Sequence, residues 1–488
     1  MKKLLPATVS KYLLVIISIL FLIEIYPIVF TVHDDITTYA NVRRGLLWDS
    51  AVSSALLGGL PQFLSNLLLG LPMLSGDLWI YKVFSYATLL FDIVIFYVLV
   101  RKIYGESAAI LTAALFWGFA TITNQHSLFV SYVLGRQIII GLILLSVLLF
   151  LKYYDTYKSP FLLGSSVFYL LACMIYEGAV PFGLLFLMIT IAKTNTESRK
   201  LAEKIRPLLL PGFLIVLYVI IYFAWQAQHP VSYEGRQFDF GNPLRSIWSV
   251  VMYSLGSFPL YSLVIALVKN EVGIQDIAFP VVPMVISFIT AGLWYYYLPR
   301  IPLESAQMRE KLAITAVGIF LPNILIGFTP KYMEWNSNGC FTYLTTFYSY
   351  FFLLTFAVMI FAIIYQKISC KKVALIITTL AVFLLSCAAV LNNRLWKKEF
   401  SHDMIKYRAF DQAVSSPQFL SYSSGTNVYI PDFMGINKTM EQTQNYSKIY
   451  TDKDFIFTNK KEDLDFTKKV IALEYSAEDE KIILKELN

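Results

Sequence analysis

Apolar residues in this chain come in long uninterrupted runs separated by short polar connections, not in the alternation of soluble strands. Eleven such runs stand out, at about Leu13–Val32, Leu78–Val100, Ala108–Ile122, Val130–Leu151, Phe161–Ile175, Ala179–Ile191, Leu208–Trp225, Ala278–Leu298, Leu312–Phe328, Thr342–Tyr365 and Val373–Leu391. A run of about 18 or more apolar residues coils into a helix long enough to cross some 30 Å of hydrocarbon. The pattern predicts an all-α polytopic membrane protein of about 11 transmembrane helices over residues 1–391. A small α/β domain is predicted over 392–488.

Basic residues set the expected orientation, because Lys and Arg are retained on the cytoplasmic side. Lys2, Lys3 and Lys11 precede the first run, and Arg101-Lys102, Lys152 and the cluster from Lys193 to Arg206 follow later ones. The first run is read as a retained helix: it is too long for a signal-peptide core, holds Glu24 and lacks a small-residue cleavage site. It should exit at His33-Asp34-Asp35 into a first outer loop, 33–77. Ala51–Leu74 within that loop is apolar but broken by Gly58-Gly59, Pro61, Gly70 and Pro72, which suits one or two short helices lying in the interface. Trp248–Val268 is long enough to cross. If it did, Arg300, Arg309 and Lys311 would fall outside, and so would Lys367, Lys371 and Lys372. An interfacial or re-entrant path is therefore expected there.

After Asn392 the chain becomes charged. Asn427–Ile430 and Val470–Leu473 read as strands, and 401–414 and 477–487 as helices. No phosphate-binding glycine loop appears, which argues against a nucleotide-sugar site in the tail.

Composition sharpens the class. Of 488 residues 57% are hydrophobic and only 15% charged, too little charge to cover a soluble protein of this size, and the mean hydropathy is +0.60. Aromatics reach 16%, as expected where Tyr and Trp line bilayer interfaces. The net charge of +7 lies in the connections and the mixed-charge tail, so it speaks for topology and not for nucleic acid. Cys173, Cys340, Cys370 and Cys387 are scattered with no metal-ligand or disulfide spacing.

Polar groups that an apolar chain does not need are the candidates for chemistry. Asp34, Asp35, Arg43, Arg44, His126, Arg136, Tyr176, Glu177, Lys331 and Tyr332 come from different segments, yet the topology carries all of them to one membrane face. A carboxylate, Asp34 or Asp35, can take a proton from an attacking hydroxyl. Arg43, Arg44, Arg136 and Lys331 can stabilise a phosphate leaving group. His126, Tyr176, Glu177 and Tyr332 complete the expected substrate-binding set. Glu24 and Asp92, inside spans, read as a satisfied carboxyl and a structural hydrogen bond. Glu24 would share a face with Asp35 if the first helix continued that far. The aromatic run Phe341–Phe352 reads as packing and interfacial belt.

An acidic pair just after the first helix, interfacial helices in the same loop and an outer C-terminal domain resemble the GT-C superfamily of membrane glycosyltransferases. Tyr176-Glu177 and Lys331-Tyr332 are similar to loop positions in bacterial members that glucosylate surface polysaccharides. The resemblance implies transfer of a hexose from a polyprenyl-phosphate-linked donor to an envelope glycan acceptor, with inversion. Neither metal nor cofactor is expected, and no partner beyond these substrates and the lipid bilayer. It places the enzyme in the plasma (inner) membrane, with the active site and tail domain extracytoplasmic. Two alternatives share the architecture: a transporter or flippase for a lipid-linked glycan, and an oligosaccharide polymerase or ligase. The first would need polar groups along a path through the bilayer, and Glu24, Asp92 and Arg136 are few for that. The second typically uses a large Arg-rich late loop, and Thr329–Phe341 is short.

Overall fold

The computed structural model describes residues 7–29, 33–123, 126–194, 201–230, 235, 237–269, 281–303, 308–431 and 439–487. Helix α1 (Ala7–Ile25) opens the chain, and three short helices follow in the first loop: α2 (His33–Arg43), α3 (Leu47–Gly58) and α4 (Pro61–Gly70). The bundle then continues with α5 (Leu78–Tyr104), α6 (Glu106–Gly118), α7 (Ile138–Thr156), α8 (Ser159–Ile175), α9 (Gly183–Thr194) and α10 (Leu201–Gln228). Next come α11 (Pro243–Leu255), α12 (Pro259–Lys269), α13 (Val281–Tyr297) and α14 (Met308–Phe320). Two short helices, α15 (Ile324–Gly327) and α16 (Pro330–Ser337), lead to α17 (Leu344–Lys367) and α18 (Lys371–Val414).

Each of the eleven apolar runs has a helix in the structure: α1, α5 to α10, α13, α14, α17 and α18. Among the described residues eight helical stretches are long and apolar enough to cross a membrane, or nine if the bent pair α11–α12 counts as one span. Helices α6 and α8 are shorter apolar helices. The chain is thus a multi-pass membrane protein. The part of the Ala278–Leu298 run before Val281 lies outside the described residues.

Contacts order the bundle into two ends. Ser10 of α1 hydrogen-bonds Tyr297 at the close of α13, and Lys311 near the start of α14 donates to the Ile103 carbonyl near the close of α5. Those mark one end. At the other, Glu24 of α1 pairs with Arg394 of α18 at 2.7 Å, with Lys397 at 3.5 Å. Glu24 is therefore a satisfied carboxyl that clamps the first helix to the last. Helices α11 and α12 meet at 97°. Both arms hold to the Glu24 end: Tyr253 donates to the Tyr332 carbonyl, Ser262 meets Thr121, and Tyr261 donates to the Gly339 carbonyl. The bent pair does not carry the chain across, in line with the placement of the basic residues.

Four expectations are corrected. Helix α1 stops at Ile25 and α2 starts afresh at His33, so Glu24 and Asp35 share no continuous face. The Val130 run does not begin as helix: α7 starts only at Ile138, and 126–137 is buried irregular backbone. Residues 481–486 form a strand and not a helix. A structural hydrogen bond is expected of Asp92, yet neither of its buried carboxyl oxygens has a partner among the described residues; it lies against Gly141, where any side chain would collide with it, and fills the gap between α5 and α7.

Helix α18 has 44 residues, about 66 Å at 1.5 Å per residue, twice what the bilayer needs. It runs unbroken past residue 392 and its second half packs under the tail. There α19 (Pro417–Ser421) and α20 (Met440–Ser447) accompany four strands, β1 (Asn427–Tyr429), β2 (Ile456–Thr458), β3 (Val470–Ser476) and β4 (Lys481–Glu486). The sheet order is β2-β1-β3-β4, with β1 parallel to both neighbours and β4 antiparallel to β3.

Candidate functional site

The site is built on the segment between α6 and α7. In a bilayer, irregular backbone persists only where protein or a cavity satisfies it. Here His126, Tyr132 and Leu134 all have positive φ, between 52° and 61°, a region costing an L-residue about 1 kcal/mol or more each. Several bonds hold the strain in place. The Gln137 amide donates to the Leu128 carbonyl (2.6 Å) and to Ser85 (3.1 Å), and Ser65 of α4 donates to the Gly135 carbonyl. Gly135 lies so close to the Ser65 carbonyl that a Cβ would be 2.6 Å from it. At the α6 end, Asn393 of α18 accepts from the Ile122 N–H (2.7 Å) and donates to the Ala120 carbonyl, while Asn392 donates to the Ile122 carbonyl.

The product of this scaffolding is the placement of Tyr132. Its backbone N–H donates to both carboxylate oxygens of Asp35 at 3.2 Å, and its phenol donates to Asp34 Oδ2 at 2.6 Å. One residue thus reads both acids. The two acids differ sharply. Asp35 is fully buried and also accepts from Tyr81 at 3.0 Å, whereas Asp34 is exposed. Burial pushes the Asp35 carboxyl up to about 7; the Tyr81 and Tyr132 hydrogen bonds and the nearby Lys82 ammonium oppose that, and the charge of Asp34 adds to it. Lys82, one turn into α5 and only 3% exposed, donates to the Ile25 carbonyl at 3.4 Å.

The Tyr132 phenol also meets His126 Nδ1 at 2.9 Å. The His126 imidazole stacks on Tyr132 and on Trp335, with Tyr343 edge-on. Tyr343 in turn hydrogen-bonds the Tyr332 phenol at 2.9 Å, and Lys331 lies over the Trp335 ring at 5.4 Å. The Tyr343 phenol lies in the neighbourhood of Tyr132, Arg136 and Tyr176. Arg136, 5% exposed, sits 4.5 Å above the Tyr176 ring, donates to the Ile175 carbonyl and to Gln62 at 2.9 Å each, and feels the Glu177 carboxylate.

Of the residues singled out in the sequence, Asp34, Asp35, His126, Arg136, Tyr176, Glu177, Lys331 and Tyr332 gather around Tyr132 and Tyr343. Arg43 and Arg44 do not join them. Arg43 ends α2 eight residues beyond Asp35, about 12 Å along the axis, with its guanidinium over Gly76, and Arg44 follows the helix. Tyr81, Lys82, Tyr132, Trp335 and Tyr343 are additions. Lys82 carried a readable signal, a cation inside an apolar run. The tyrosines carried none among 32 of their kind, and Tyr343 belongs to the site although Phe341–Phe352 reads as packing. Among the described residues no three His, Cys, Asp or Glu side chains gather as a metal-binding group.

No protein-family profile matches the chain, and no curated protein is similar to it at a significant level. Among solved structures, ArnT from Cupriavidus metallidurans bound to undecaprenyl phosphate matches with a TM-score of 0.43 and 12% identity, over 93% of this chain and 86% of that one. The apo form of the same protein matches with a TM-score of 0.40 and 12% identity, over 93% and 87%. A likeness at these scores does not bear on the activity of this chain.

Proposed function

We propose that the chain is a GT-C-type glycosyltransferase that moves a hexose from a polyprenyl-phosphate carrier to an envelope glycan on the outer face of the plasma membrane. The observation that carries this reading is the pairing of an exposed acid with a buried one through a single tyrosine, beside a cation and an aromatic wall. Asp34 is the base. It is exposed, it is oriented by a 2.6 Å bond from Tyr132, and it can accept a proton from an acceptor hydroxyl. That oxygen attacks the anomeric carbon as the bond from that carbon to the phosphate oxygen breaks. The electron pair leaves with the lipid phosphate. A single displacement inverts the anomeric centre.

Asp35 is a positioning residue. It is buried out of reach of an acceptor and holds Tyr132 and Tyr81. Lys331 supports the departing phosphate charge. His126, Trp335, Tyr332 and Tyr343 offer ring faces and hydroxyls of the kind that pack on a pyranose. Arg136 locks the segment before α7 to Tyr176 and Gln62. The reading places the Glu24 end of the bundle, with the tail domain, outside the cytoplasm.

The test is reconstitution of the full chain in vesicles with a panel of labelled polyprenyl-phosphate sugars and isolated envelope glycan. Label should move into the glycan from one donor, with release of polyprenyl phosphate. No transfer from any donor, together with movement of an intact lipid-linked glycan across the vesicle membrane, would overturn the reading in favour of a transporter.

A further inference from the structure

A second feature lies at the far end of the bundle. Tyr81 and Lys102 are both on α5, 21 residues apart, about 32 Å along the axis. At the Lys102 end α5, α7, α9 and α14 part to leave a half-open cleft of about 200 Å³. One ordered water needs roughly 15 Å³, so the space is more than ten times that. Its walls are apolar, from residues such as Val147, Leu185, Ile314 and, from α17, Phe352, which covers Gly318.

The mouth carries both signs of charge: Lys102, Lys193 and Lys311 against Asp155 and Glu310. Asp155 is committed. Lys102 is bonded to it, and Lys193 stands 3.9 Å from it. Glu310 is different: its Oε2 is buried and, among the described residues, has no hydrogen-bond partner. A buried carboxylate oxygen without a donor costs free energy until a donor arrives. An apolar cleft at a membrane face, with cations and an unmet acceptor at its mouth, is complementary to an amphiphile whose head carries both charges.

We propose that this cleft binds one phospholipid with a phosphoethanolamine head, its phosphate on Lys193 and Lys311, its ammonium on Glu310, and part of an acyl chain along the apolar wall. A primary ammonium has three donors to give the carboxylate. A choline head has none, and a glycerol head has no cation. The order of preference is therefore ethanolamine above choline and above glycerol. The site lies a bilayer's thickness from Asp34, so it does not depend on the transferase reading.

The experiment is native mass spectrometry of the delipidated full chain in detergent, titrated with phosphatidylethanolamine, phosphatidylcholine and phosphatidylglycerol of identical acyl chains. One phosphatidylethanolamine should be retained about tenfold more tightly than either other lipid. Glu310→Gln should bring it down to the phosphatidylcholine level, and Lys193→Ala with Lys311→Ala should weaken all three. Equal retention of the three lipids by the wild type, a preference for phosphatidylglycerol, or an ethanolamine preference that survives Glu310→Gln would each overturn the proposal. The wild-type lipid comparison stands even if a variant does not fold.

Discussion

Replacing Asp35 by Asn should change how stability depends on pH. The carboxyl is buried in the folded protein and titrates near 7, against 3.8 when unperturbed. The gap is about three pH units, and at 1.36 kcal/mol per unit it amounts to about 4 kcal/mol. The sign comes from proton binding. Between pH 4 and 7 the folded chain holds the Asp35 proton and the unfolded chain releases it, so stability falls as pH rises. This contribution is complete below pH 4, is lost progressively up to about 7, and is level above that. Asn is nearly isosteric and does not titrate. The assay is thermal unfolding of both proteins in one detergent, at fixed ionic strength, over that pH range. Carboxylates remote from Asp35 titrate alike in the two proteins, so the difference between the curves reports Asp35 and its immediate neighbours. That difference should shrink in favour of the variant by a few kcal/mol from acid to neutral. A constant difference across the range, or a wild type that gains stability relative to the variant toward neutrality, would refute the assignment of Asp35 as a buried carboxyl held against its charge.

Two further outcomes concern contacts away from the acids. Glu24→Gln removes the charge that pairs α1 with Arg394 and Lys397, both of which keep partial solvent contact; a loss of about 2 kcal/mol, between surface and buried pairs, should appear as earlier thermal unfolding. Gly141→Ala forces a methyl onto Asp92 and the Phe91 ring; overpacking at that crossing should cost about 1–3 kcal/mol, where an unchanged melting temperature would show that α5 and α7 do not meet there.

The eleven helical segments were legible because burial in lipid demands long apolar runs and little else. The same demand hid the start of α7. Val130 to Leu134 is apolar but for Ser131 and runs on into the apolar α7, and periodicity cannot tell a buried helix from buried irregular backbone held by Gln137 and Ser65. Helix α2 was hidden for the opposite reason: it is polar, and its helicity serves to aim Asp34 outward and Asp35 inward. In the tail, 477–487 read as a helix. The pairing of Leu473 with Leu484 and of Tyr475 with Ile482 shows that strand alternation governs there instead. Within the candidate site, the acids stood out by their position at the end of the first span. Arg43 and Arg44 stand apart from the acids because residues close in sequence can lie two turns away along a helix. Tyr132 was invisible because its role depends on a left-handed backbone that no residue type announces.

The central claim is that Asp34 takes the proton and Asp35 only positions Tyr132. The most direct measurement is the rate of sugar transfer by the wild type, Asp34→Asn, Asp35→Asn and Tyr132→Phe at matched amounts in the membrane. Loss of a general base lowers a rate by about 10²–10⁴, and loss of a charge-assisted hydrogen bond costs about 1.5–3 kcal/mol, roughly ten- to a hundredfold. Asp34→Asn should fall furthest, and Asp35→Asn and Tyr132→Phe should retain measurable transfer. Wild-type rates in Asp34→Asn, with transfer abolished in Asp35→Asn, would contradict the claim.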